Sequence, residues 1–227
     1  MNVLALETTE TAASLAALRD YNLLLEIDLD SKRRSAQSLV PGVRELLGRV
    51  GWRTSDLDLV AVGIGPGSFT GVRVGVTTAK VLAYAAGAEV LGVESPAAIA
   101  AAVPGEVEDL SVVLDAQRGQ LVTQRFHRRP DRRLVAEQPW QLTAIDAWLG
   151  GLRPGVAVAG PILRRLADRL PDHVRLLEPT FWCPRAATIG RLAIDDYALG
   201  RRDDLWKLLP IYFRRSAAEE KLDQSAG

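Results

Sequence analysis

Gly65-Pro66-Gly67-Ser68 is a glycine turn set between an apolar run and a helix-like segment, and of all the residues here its types and spacing come nearest to a known chemistry. Backbone amides at a helix N-terminus bind anions, so such a turn invites a phosphate. The spacing refuses it. A GxxxxGK[ST] loop needs a second glycine five positions on, where Thr70 and Val72 stand. A GxGxxG fingerprint fails because Gly63 and Gly65 are followed by Ser68, and Gly65 and Gly67 by Thr70. Nor is Ser68 a nucleophile elbow, since GxSxG needs glycine where Pro66 stands.

Metal and thiol chemistry find little to work with. The chain has His127 and His173 and a single cysteine, Cys183. Neither histidine has a His, Cys or carboxylate partner at ligand spacing on one element, and the lone cysteine excludes the common multi-cysteine zinc sites. His127 reads as a solvated strand end and His173 as a loop residue. One cysteine in this length fits a reducing compartment. Arg125, Arg128, Arg129, Arg132 and Arg133 form a dense basic run. A solvated hairpin face and a minor phosphate-contacting role are both open, with Asp131 and the neutral chain favouring the first. Charge overall is balanced, 28 basic against 28 acidic residues in 227, which leaves no global attraction to nucleic acid.

The elements that must position these groups follow from periodicity. Leu59 to Ile64 is nearly all apolar, the pattern of a central strand buried on both faces. Thr70 is a candidate N-cap for a helix from Val72 to Ala86. Strands are expected at Val3 to Leu6, Ala12 to Leu18 and Leu23 to Leu29. An amphipathic helix with Ser38 as cap and Pro41 in its first turn then puts Leu39, Val43, Leu46 and Leu47 on one face. Glu89 to Val93 reads as a strand and Ala97 to Val103 as a short helix. Beyond Leu110 the order repeats: strands at Ser111 to Leu114, Gln120 to Phe126 and Leu134 to Glu137, a helix over Leu142 to Leu149, a strand at Val156 to Ala159 and a helix over Ile162 to Leu170. A last helix is expected from Pro184 to Leu199. Trp140, Trp148, Trp182 and Trp206 read as core or lobe-interface packing, and the charged tail from Arg214 as a solvated terminus. MNVLALETTE reads as a strand and not a signal peptide, and no apolar run reaches membrane-span length.

Within the glycine helix, Gly71, Gly75, Ala79 and Ala83 recur every four residues, leaving one face almost bare. A mid-helix glycine costs roughly 1 kcal/mol against alanine, so close approach of another element must offset it. Sequence leaves open whether that element belongs to this chain or to a partner.

GIGPGSFTGVRVGVTTAKVLA resembles the signature of the TsaB family, also called YeaZ, accessory subunits in bacterial synthesis of threonylcarbamoyladenosine on tRNA. The resemblance extends through MNVLALETTETAASLAAL, SLVPGVRELL and VVLDAQRGQLV to PIYFRRSAAEEK. The catalytic relative TsaD shares the GPG turn but typically continues LVGALLVG. The resemblance implies an α/β fold of the actin, sugar-kinase and Hsp70 superfamily (ASKHA), with duplicated lobes of which the second is reduced. The lobes would be residues 1–105, bearing the partner contact, and 106–227.

The resemblance also implies a non-catalytic cytoplasmic scaffold without metal or cofactor. Its partners would be a TsaD-type catalytic subunit and a TsaE-type ATPase, with tRNA met only through the complex. A homodimer of the isolated chain stays open. Partner contacts would fall on Ser68, Phe69, Thr70, Gly71, Arg73, Gly75, Thr78, Ala79, Leu82 and Ala83, with Leu39, Val43 and Leu46 beside them. Superfamily phosphate turns would correspond to Glu7–Thr11 and Asp115–Gly119. The first lacks glycine and carries two glutamates, so both are read as structural turns, the second, with Arg118 and Gly119, less firmly. Where the catalytic relative has a histidine pair, Val93 to Ile99 contains none. Many relatives carry histidine where Ser35 stands, so a role built on that residue does not transfer. The alternative is an enzyme of the same superfamily acting alone, a phosphotransferase or metallopeptidase.

Overall fold

A computed structural model describes residues 1–30 and 35–213. The first sheet contains β1 (Asn2–Glu7), β2 (Ser14–Arg19), β3 (Asn22–Asp28), β4 (Leu59–Gly65) and β5 (Glu89–Glu94), in the order β3-β2-β1-β4-β5. The apolar runs of β1 and β4 put both strands in its middle, paired in parallel and covered on both faces. On one face lie α1 (Ser35–Val50) and α2 (Phe69–Ala86). On the other lies α6 (Ala186–Ala198), against β1, β2 and β4.

The second sheet holds β6 (Asp109–Asp115), β7 (Gln120–Arg128), β8 (Leu134–Ala136), β9 (Gln141–Ala144), β10 (Ala157–Ala159) and β11 (Arg175–Leu176). Its order is β11-β10-β6-β7-β8, and β8 and β9 divide one edge of β7 between them. Counted within each sheet the strand order is the same, and so are the senses: the outer hairpin strands antiparallel, the remainder parallel. Between the sheets, α3 (Ser95–Ala102) gives Ala98 to the core of the first and Ile99 and Ala100 to that of the second. Two short helices, α4 (Ile145–Gly150) and α5 (Leu163–Leu166), complete the second half.

Several expectations are corrected. The split at residue 105 fails, because the chain returns to the first sheet with α6. Leu142 does not start a helix: Gln141 to Ala144 pair with β7, and α4 begins only at Ile145. Ser38 caps nothing, since α1 starts at Ser35 and carries Pro41 inside it, on the exposed side. Nor does Pro184 start α6. Its first amides are satisfied from the first sheet, Ala186 N–H by Ser14 Oγ and Ala187 N–H by Glu26 Oε1, both at 3.0 Å. The tail from Arg214 lies outside the described residues.

Candidate functional site

The glycine turn delivers the chain from β4 into α2, and Ser68, not Thr70, is the cap: its Oγ accepts from Gly71 N–H at 3.3 Å. The bare stripe faces inward. Thr8 and Thr9, just after β1, press against it, Thr8 Oγ1 donating to Gly71 O at 2.8 Å and Ser68 N–H to Thr9 O at 2.7 Å. A Cβ on Gly71 would collide with the Thr8 carbonyl, and one on Gly75 with Thr8 Oγ1. Ala79 and Ala83 continue that packing into the core with Leu39, Val43 and Leu46. These seven residues offer a partner no side chain, which corrects the expectation that they form its contact. Ser68, Thr70 and Arg73 are exposed, and Phe69, Thr78 and Leu82 half-buried.

The turn after β1 is closed by its own carboxylate. Glu7 is fully buried, and its Oε1 accepts from Thr9 N–H and Thr9 Oγ1, both at 2.5 Å. Ser95 Oγ donates to Thr9 Oγ1 at 3.1 Å. Glu7 Oε2 has no partner and fills the space left by Gly63, where a Cβ would strike it. Burial pushes the Glu7 carboxyl up to about 8, against the pull of the Thr9 hydrogen bonds. Glu10 is pushed up to about 7, again chiefly by burial; Arg164 opposes the rise and Asp115 adds to it. The second turn is pinned as well, with Asp115 Oδ2 2.9 Å from Arg165 and Oδ1 accepting from Gln117 N–H at 2.7 Å. Burial also raises the Cys183 thiol, whose Sγ lies 3.5 Å from Arg164. Two protonated carboxyls and a thiol do not make a phosphate grip.

Among the described residues no group of three or more His, Cys, Asp and Glu could hold a metal ion. His127 sits at a solvated strand end 2.8 Å from Asp109, whose hydrogen bond raises its pKa, and His173 contacts Leu152 O from a loop. The arginine run is more structural than a solvated face. Arg128 donates to Val107 O and Pro104 O at 2.6 and 2.8 Å, and Arg125 to Gly151 O at 3.0 Å.

The outward face of the α1–α2 layer is different in kind. Beside α2 runs a strap, residues 203–213. Asp203 Oδ2 accepts from the edge amide Gly92 N–H at 2.9 Å, Lys80 Nζ donates to Trp206 O and Leu208 O, and Ile211 N–H to Ile64 O at 2.8 Å. Arg73 stacks 3.9 Å over Phe69 and donates to Tyr212. This layer exposes Val81 by 61%, Tyr84 by 70% and Trp206 by 72%, the last two in ring contact at 5.8 Å. Large apolar groups this open mark a surface that binds something. An open groove of about 560 Å³ follows α1 along Val40, Pro41 and Arg44.

Residues 29–165 match the family model described as tRNA N6-adenosine threonylcarbamoyltransferase, TsaD. The chain is 34% identical to the tRNA threonylcarbamoyladenosine biosynthesis protein TsaB of Bacillus subtilis, with 99% of each chain covered. The chain belongs to the TsaB (YeaZ) family. The solved YeaZ of Pseudomonas aeruginosa superposes with a TM-score of 0.79 at 26% identity, covering 93% of this chain and 99% of that one. An activator of 2-hydroxyisocaproyl-CoA dehydratase from Clostridium difficile, TM-score 0.50 and 9% identity, covers 90% and 99% respectively and shares the fold alone.

Within this TsaB-family chain, sequence reasoning found the right helices but the wrong side of them. It missed the strap, and its reading of Trp206 as core or lobe-interface packing is corrected by that residue's exposure. LWKLLPIYF has neither helical nor strand periodicity, so only its unbroken apolar content could have flagged it. No helix among the described residues is long and apolar enough to cross a membrane.

Proposed function

We propose that this chain is a non-catalytic accessory subunit in threonylcarbamoyladenosine synthesis on tRNA. It supports a TsaD-type catalytic subunit and a TsaE-type ATPase in the cytoplasm and meets tRNA only through their complex. The end-to-end likeness to the B. subtilis protein, whose name places that protein in this pathway, carries the reading. Supporting it, the turn after β1 spends its acceptors and donors on itself and on α2, leaving no cradle of free amides for a phosphate. The partner contact is the outward face of α1 and α2, where Ser68, Thr70 and Arg73 reach the surface and Phe69, Thr78 and Leu82 lie half-buried. The equal strand order of the two sheets supports descent from one duplicated lobe, the second reduced in its helices.

Reconstitution tests the assignment. The chain, the TsaD-type and TsaE-type proteins of the same genome and the adenylate-forming enzyme are combined with tRNA, ATP, bicarbonate and threonine. Modified adenosine should appear only when this chain is present. Equal modification without it would overturn the accessory role, and modification by this chain with the TsaD-type protein omitted would overturn its non-catalytic character.

A further inference from the structure

We propose that the outward face of α1, α2 and the strap takes a partner surface that is acidic as well as apolar, and that it disfavours a second copy of this chain. This rests on the reading of that face as the partner contact and adds the chemistry of what it binds.

The charge is unevenly spread. The whole chain is neutral, yet α1 and α2 together carry Arg44, Arg49, Arg73 and Lys80 against the single acid Glu45. α2 contains no acid at all. Glu45 is spoken for by Arg49 at 3.3 Å, and on the strap Lys207 and Asp204 pair at 3.6 Å and cancel. Arg44 and Arg73 are exposed, and Arg73 makes its hydrogen bond to a neutral phenol. Lys80 points its ammonium at two carbonyls, so its charge too stays uncompensated by any carboxylate. The face thus joins a ridge of Val81, Tyr84 and Trp206 to a net positive charge.

A two-fold dimer brings the same patch of both copies together. Through this face it would bury two positive surfaces against each other, and like charges across an interface cost affinity and slow encounter. A partner with acidic residues around an apolar helical surface meets both features. The like-charge penalty is long-ranged at low ionic strength and is screened within about 3 to 10 Å at high salt.

The test uses the full chain, the TsaD-type protein of the same genome, and the variants Arg44→Glu and Val81→Asp. Affinity is read by titration calorimetry and self-association by sedimentation, each at about 50 and about 500 mM NaCl. Binding of the TsaD-type protein should weaken with salt. Arg44→Glu should weaken it roughly 3- to 10-fold at the lower salt and by less than about 2-fold at the higher, the scale of an exposed ion pair reversed. Self-association should be absent, or stronger at high salt than at low. Overturning results are a dimer of the unmodified chain that dissociates as salt rises, or an Arg44→Glu chain that binds like the parent at low salt. If Arg44→Glu is silent while Val81→Asp abolishes binding, the face is the contact and its charge is irrelevant. If the TsaD-type protein binds and Val81→Asp is silent too, the contact lies elsewhere and the face itself has been misassigned.

Discussion

Replacing Glu7 by glutamine should change the pH dependence of stability more than stability itself. The carboxyl is fully buried, so solvent screening does not reduce its effect. Its pKa rises from 4.5 to about 8 on folding. A raised carboxyl pKa means that the folded state keeps a proton the unfolded chain gives up. Its contribution is fully present below 4.5 and is lost as pH rises toward 8. The slope across that window is about 1.4 kcal/mol per pH unit, so at neutral pH roughly 3 kcal/mol has gone. Glutamine keeps an acceptor for Thr9 and cannot ionise, but it adds an amide donor beside Gly63 at a cost of about 1 to 3 kcal/mol. The two effects nearly cancel near neutrality, so a single measurement there decides nothing. Urea unfolding of both proteins at intervals from about pH 5 to about pH 8 separates them. Glu7→Gln should gain on the parent at roughly 1.4 kcal/mol per unit. The Glu10 contribution, raised for similar reasons, is common to both and drops out of the difference. Parallel curves, with a difference constant to about 0.5 kcal/mol, would refute the reasoning and mean that Glu7 is ionised in the folded protein.

Gly75→Ala should lower the melting temperature of the monomer. The new Cβ displaces Thr8 Oγ1 from its bond to Gly71 O, at about 1 to 3 kcal/mol, more than the roughly 1 kcal/mol alanine returns in helix propensity; an unchanged melt with weaker partner binding would restore the stripe to the interface. Asp203→Ala leaves the edge amide of Gly92 without its acceptor and frees one end of the strap. Hydrogen exchange at Gly92 should accelerate and stability fall by about 1 to 3 kcal/mol, while unchanged protection would show the strap held by Leu208 and Ile211 alone. Ser14→Ala removes the cap on Ala186 and should cost about 1 kcal/mol in urea unfolding; a loss below about 0.3 kcal/mol would mean that α6 is held by packing alone.

How far the sequence could be read depended on the range of the deciding contact. β1 and β4 were legible because their apolar runs are local, and α2 because the turn before it and the glycine after it end the neighbouring elements. Capping by Ser14 of an amide 172 positions away, which sets the start of α6, leaves no trace at Pro184. The Gln141 to Ala144 strand exists because the lower edge of β7 is vacant, a fact about β8. The small-residue stripe is the clearest case. Gly71 and Gly75 state that something comes close, and nothing near them says what. The answer is Thr8, 63 positions before Gly71. Once the bare side of α2 is filled by β1's turn, the large residues between the small ones acquire a different meaning. A helix apolar on all sides belongs in an interior. α2 keeps Val72, Val76 and Ala79 inside yet turns Val81 and Tyr84 to solvent, so its second apolar side has no interior within this chain to enter. The signature that looks like an interface on inspection is the core, and the interface candidate consists of the residues that the signature merely holds outward.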